Sequence, residues 1–166
     1  MTSRLDVDGQ DLALALSGAL AAHVEGGVEV AVRDGALELR LRGVRLPPAG
    51  RIPLPKLSEL RVRFVSEKAP SAEHVAVAWQ WSASHVPAFV MQGLKEVASA
   101  FLRERLARIP AIAQAVVSVS STVWILDPRE IRVGAVRLGD VLAVEAVAIP
   151  GRDGAAVTIT GRHGDR

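Results

Sequence analysis

Histidines, clustered carboxylates and a crowd of arginines are the residues of this 166-residue chain whose types could do chemistry. The acidic run Asp6-Val7-Asp8-Gly9-Gln10-Asp11 places carboxylates beside a glycine, as a calcium loop does, but it lacks the acidic ligand that closes such a loop. Capping of a following helix by Asp8 is the favoured reading. His23, His74, His85 and His163 never fall at the paired spacing of a metal-binding helix or strand. No serine lies in a Gly-x-Ser-x-Gly turn that would expose a nucleophile. Acid–base work is left to Glu73-His74 and His85, which would have to meet in space for a small hydrolase or isomerase. That is the least favoured function. No catalytic residue, metal or cofactor is assigned.

The arginines carry more weight. Seventeen of the twenty cations are arginine, and between Arg33 and Arg63 seven arginines and Lys56 face only Asp34, Glu38 and Glu59. If the strand over residues 36–42 lies beside that over 59–65, Arg40, Arg42, Arg61 and Arg63 form a stripe on an exposed sheet face. Such a stripe suits anionic headgroups and peripheral contact with an anionic membrane. Nucleic acid is disfavoured, because no exposed aromatic residues interleave with the arginines. The competing reading is a solvated face in which arginines and glutamates pair across strands.

The aromatic residues suggest a binding surface of another kind. Val75, Val77, Trp79 and Trp81 share one side of an alternating run whose other side is Ala76, Ala78 and Gln80. Core packing is the ordinary explanation for two such indoles. The sharper expectation is that these four face Phe89, Val90, Val97 and Phe101 of a long helix across an apolar groove able to take a chain-like ligand.

The hydrophobic period that would position these groups switches along the chain, from two over Val75–Trp81 to about 3.6 over Val86–Ile109. Leu12, Leu16, Ala19, Leu20 and His23 fall near one face of a first helix over residues 9–24, stopped by Gly26-Gly27. Val28–Arg33 and Ala36–Arg42 alternate around Asp34-Gly35, a two-residue hairpin turn. That hairpin would bury Val28, Val30, Val32, Leu37, Leu39 and Leu41 and expose Glu29, Arg33, Glu38, Arg40 and Arg42. Pro47, Pro48, Pro53 and Pro55 make residues 46–57 an extended crossing. A strand with Leu60, Val62 and Phe64 inward follows, then the Trp79 strand. The long helix, capped by Ser84 with Pro87 in its first turn, is about 34 Å long at 1.5 Å per residue. Further strands are expected over 117–126, with Ser118, Ser120 and Thr122 on one wet face, near 131–138, over 141–149 and over 156–160. Residues 161–166 should fray.

Composition narrows the class. The length suits a single domain over residues 1–166. Cysteine is absent, which removes disulfides and thiolate chemistry. No apolar run approaches the roughly 20 residues of a membrane span, and the apolar stretch 12–24 follows acidic rather than basic residues, unlike a signal peptide. A cytoplasmic location is expected. The formal charge is only +2, so the basic isoelectric point reflects the lack of tyrosine and cysteine as much as any basic surface.

Together these elements predict an α+β domain, a curved antiparallel β-sheet packed on one long central amphipathic helix with a shorter N-terminal helix. Over Val28–Leu41, His74–Trp81, Val86–Ile109 and Thr122–Val133 the pattern resembles the tubular lipid-binding (TULIP-like) superfamily at the level of architecture, without a family-specific motif. That resemblance implies a sheet wrapped around a long helix and an apolar tunnel. The expected function is non-enzymatic binding of a lipid or other elongated apolar ligand between helix and sheet, with the arginine stripe near a headgroup. The alternative is a homodimeric interaction or scaffold module whose apolar groove is closed by packing.

Overall fold

Asp34-Gly35 forms the tight turn its sequence demands, with φ values of 51° and 71° that Asp and Gly tolerate better than most residues. It joins strands β2 (Val28–Arg33) and β3 (Ala36–Val44), the start of a six-stranded antiparallel sheet. The computed structural model describes residues 1–163. Strand β1 (Thr2–Val7) and helix α1 (Gly9–Leu20) precede the hairpin. After it come β4 (Leu57–Glu67), β5 (Val75–Ala83), the long helix α2 (Ala88–Ala107), β6 (Val116–Val119) and β7 (Val123–Leu126). The chain closes with a short β8–β9 hairpin (Arg132–Val133, Val136–Arg137), the single-turn α3 (Leu138–Val141), β10 (Ala143–Ala148) and β11 (Val157–Arg162). The sheets run in the orders β2-β3-β4-β5-β7-β6 and β1-β11-β10.

The main core lies between the six-stranded sheet and the two longer helices. Leu39, Leu41, Leu60, Val62, Val77, Trp79, Trp124 and Leu126 point to one face and pack with Leu16 and Leu20 of α1 and Leu94, Ala98, Phe101, Leu102 and Leu106 of α2. A smaller cluster of Leu138, Leu142 and Ile159, with Leu5, Val144, Val147 and Val157 against it, stabilises the three-stranded sheet. The protein is thus α+β with antiparallel sheets, and no helix among the described residues is long and apolar enough to cross a membrane.

Several sequence expectations need correction. The segment 2–7, read only as part of an acidic run, is a strand paired with β11 along its whole length. Asp8 does cap α1, accepting from the Gln10 N–H at 2.6 Å, but the helix stops at Leu20 rather than Val24. Helix α2 starts at Ala88 with Pro87 at its cap position, and Ser84 caps nothing. His85 adopts a φ of 61° and interrupts the approach, while the Ser84 N–H donates to the Glu59 carbonyl. The run 117–126 is two strands, because Ser120 sits in the turn between them and its Oγ accepts from the N–H groups of Thr122 and Val123. The stretch near 136–138 opens into α3 instead of a longer strand. Gly161 and Arg162, expected to fray, pair with β1 and β10; residues 164–166 lie outside the described part.

Candidate functional site

Strand alternation sorts the predicted residues onto two faces of the six-stranded sheet. On the outer face Arg40 lies directly opposite Arg61, Arg42 opposite Glu59, and Arg63 opposite Glu38. The stripe is therefore assembled as expected, yet most of it is internally neutralised. Arg40 donates to Glu38 at 2.8 Å, Arg42 to Glu29 at 3.3 Å, and Arg61 pairs with Glu59. The Arg61 guanidinium holds the Glu59 carboxyl below the usual carboxylate range. Glu38, expected on a wet face, is only 7% exposed, because the flanking arginine side chains cover it. Arg63 alone of the four makes no ion pair among the described residues, and its Nε is buried without a hydrogen-bond partner.

The inner face holds the aromatic set. Val77 and Trp79 are buried, and Val75 and Trp81 pack partly buried against the same core. The Trp79 indole donates to the Ser120 carbonyl at 3.0 Å, and that of Trp81 to the Ser99 hydroxyl of α2 at 2.9 Å. Phe101 is buried, its ring edge-on to His23 at 5.2 Å between centroids, and Val90 packs against the core. Val97 is half-buried. Phe89, expected to face the tryptophans, is instead 80% exposed in the first turn of α2, on the side away from the sheet. Between β5 and the middle of α2 the inner face is occupied by side chains from both elements.

Open space lies further along the same face. A cavity of about 130 Å³ is walled by Leu12 and Leu16 of α1, Leu106 at the end of α2, Ile109 and Ile112 in the segment that follows it, and Leu37, Leu39, Phe64, Val77, Trp124 and Leu126 of the sheet. Ile149 and Val157, from the β10–β11 hairpin, complete it. Every lining residue is apolar. Leu12, Phe64, Ile112, Ile149 and Val157 are only half-buried, so the cavity meets the surface along their side. Ile149 is held there by Ser66, whose N–H donates to the Ile149 carbonyl at 2.7 Å and whose Oγ accepts from the Ile149 N–H at 2.6 Å.

Of the eight residues assigned to the groove, only Val77 lines this cavity. Leu12, Leu16, Leu106 and Ile109 were legible as inward-facing, but their meeting point was not. Trp124 carries a signal that went unused: it alternates with Leu126 in an apolar run, the pattern of a strand residue facing a core. Trp124 is 3% exposed with no partner for its indole N–H, and it stacks edge-on to Trp79 and Phe64 at centroid distances of 6.0 and 6.5 Å.

The acid–base set does not assemble. His74 and His85 flank opposite ends of β5, a separation of roughly 30 Å or more at strand rise. His74 Nδ1 lies 2.8 Å from the Ser71 hydroxyl in the loop before β5, while His85 stands beside the start of α2. Glu73 approaches Arg129 at 3.9 Å. The acidic run is likewise divided among structural tasks, with Asp6 accepting from Thr158 and Arg4 and Asp8 capping α1. Among the described residues no group of three or more His, Cys, Asp or Glu side chains could hold a metal ion. No family model, curated protein or solved structure matches the chain.

Proposed function

We propose that this protein binds a small apolar ligand, or the apolar end of a larger one, in the cavity between α1, the end of α2 and the inner face of the six-stranded sheet. The observation that carries this reading is an all-apolar space of about 130 Å³ bordered by half-buried side chains. For scale, an engineered apolar cavity of about 150 Å³ takes up benzene. The size narrows the elongated lipid expected from the sequence: a phenyl group or the tip of an acyl chain fits, and the remainder of a longer ligand would extend past Ile149 and Val157.

The arginine stripe plays no part in holding that ligand. Leu39 faces the cavity while its neighbour Arg40 is on the opposite side of the sheet, so the stripe and the cavity are separated by the sheet itself. Any contact of the stripe with an anionic surface is a separate interaction, and Arg63 is the member without an ion pair among the described residues.

Titration with benzene, followed in amide and indole N–H spectra, tests the reading. Binding should shift the Trp124 indole signal and the amides of Leu106, Ile109 and Ile149, and leave Phe89 and Arg40 unmoved. Native mass spectrometry of freshly purified protein checks the same claim independently through an adduct that organic extraction removes. A spectrum unchanged by benzene up to its solubility limit would rule the cavity out as a binding site.

A further inference from the structure

We infer that this protein docks on a phospholipid bilayer through the proline-rich loop between β3 and β4 and the start of α2, with Ile52 and Phe89 entering the lipid. The inference is independent of the cavity and its ligand. Ile52 is 68% exposed and Phe89 80% exposed.

Both residues belong to one end of the molecule. Pro55, Lys56 and Leu57 line a surface pocket together with His85, Pro87 and Val90, so the loop lies against the start of the helix. Ile52 precedes Pro55 by three residues, a reach of at most about 11 Å, and Phe89 adjoins Val90 in sequence.

The loop has little that water must satisfy. Over residues 46–57 only Arg51 and Lys56 carry side chains able to hydrogen-bond, yet Pro47, Pro48, Ile52, Pro53 and Pro55 are exposed. The four prolines have no backbone donor, and at the tip the Ala49 and Ile52 N–H groups donate to each other's carbonyl at 3.0 and 3.1 Å. On the helix side Pro87, Ala88 and Phe89 are exposed and equally without polar side chains. A surface with so few polar groups loses little hydration on entering a lipid interface. A protein partner fits less well, because protein interfaces carry about one hydrogen bond per 100–200 Å² and this face offers few groups to make them. Arg51 is exposed with no ion pair among the described residues, and Lys56 pairs with Glu25. Their long stems let both charges stay at the level of the headgroup phosphates while their apolar neighbours go deeper.

Co-sedimentation of the full chain with mixed phosphatidylcholine–phosphatidylglycerol vesicles tests the inference. The native protein should pellet with the vesicles, and the double variant Ile52→Ser, Phe89→Ser should bind about tenfold more weakly or worse with its thermal midpoint unchanged. Phe89→Trp should bind as the native protein does and gain a blue-shifted emission on vesicles that brominated acyl chains quench. A native protein that stays in the supernatant overturns the inference. So does binding that the double variant retains, or a tryptophan at position 89 that bromine leaves unquenched, since charge or another face would then make the contact. Self-association that the double variant abolishes, without vesicle binding, also overturns it and makes this end a contact between copies of the chain.

Discussion

Asp6 shows how a single side chain can be assigned a task by its partners rather than by its neighbours in sequence. Its Oδ1 accepts from the Thr158 hydroxyl at 2.6 Å and from Arg4 Nε at 3.0 Å, and Thr158 in turn accepts from the Arg152 N–H at 2.7 Å. The Thr158 hydrogen bond, and then Arg4, hold the Asp6 carboxyl below the usual carboxylate range. A carboxyl with a lowered folded-state pKa contributes stability that is complete above its unfolded value near 3.9, and that is lost as pH falls through the folded one. Asp6→Asn should therefore melt below the native protein at neutral pH, and the gap should close progressively below about pH 4. A gap that persists undiminished into strong acid would show that the charge of Asp6 is irrelevant. The sequence displayed this carboxylate but not its role, because Thr158 lies at the other end of the chain. Arg63 was obscure for the same reason: residue type announces a cation, and only the fold says whether it has been paired.

At the scale of elements, helix α2 sorts its two phenylalanines in a way that period alone half predicts. Phe101 is 3% exposed, and removing its ring should cost about 3–5 kcal/mol, the usual range for a buried aromatic truncated to alanine. Phe89→Ser, at the exposed first turn, should change stability by less than about 0.5 kcal/mol. Chemical denaturation of the two variants checks the pair, and comparable losses would contradict the burial assigned to α2. Phe89 was expected to face the tryptophans across a groove, but at the helix start Pro87 and the left-handed His85 set a different entry. The turn and register of the β2–β3 hairpin were legible, since Asp-Gly specifies the turn and the turn specifies the register, but Val32, expected inward, is 41% exposed and Glu38, expected outward, is buried. Strand β1 was not: only Leu5 and Val7 among its six residues are large and apolar, and its other face is polar. Pairing of its partner also depends on a glycine. A Cβ on Gly161 would lie 2.5 Å from the Ala143 carbonyl oxygen, so Gly161→Ala should push β10 from β11 and raise amide exchange through the three-stranded sheet before the six-stranded one. Equal exchange in both sheets would show that the close approach is not required.

For the molecule as a whole, the cavity sits where two separately packed cores meet. Ile149 packs on the main core and Val157 on the smaller one, and both line the space between α1, α2 and the sheet. No periodicity in a single segment could announce a gap of this kind, because each wall is an ordinary buried face and only their mutual distance leaves room. A ligand seated there would cover apolar surface and add its binding free energy to the stability of the fold. Val77, on the cavity floor and 2% exposed, provides the means to measure it. Val77→Ile adds one methyl group into the space and should raise the thermal midpoint by a few degrees, while weakening benzene binding several-fold. A midpoint that falls would mean the added methyl meets packed atoms rather than empty volume. A midpoint that rises with benzene binding unchanged would place the bound probe elsewhere. Only opposed shifts in stability and affinity fit a cavity that the fold leaves open for a ligand.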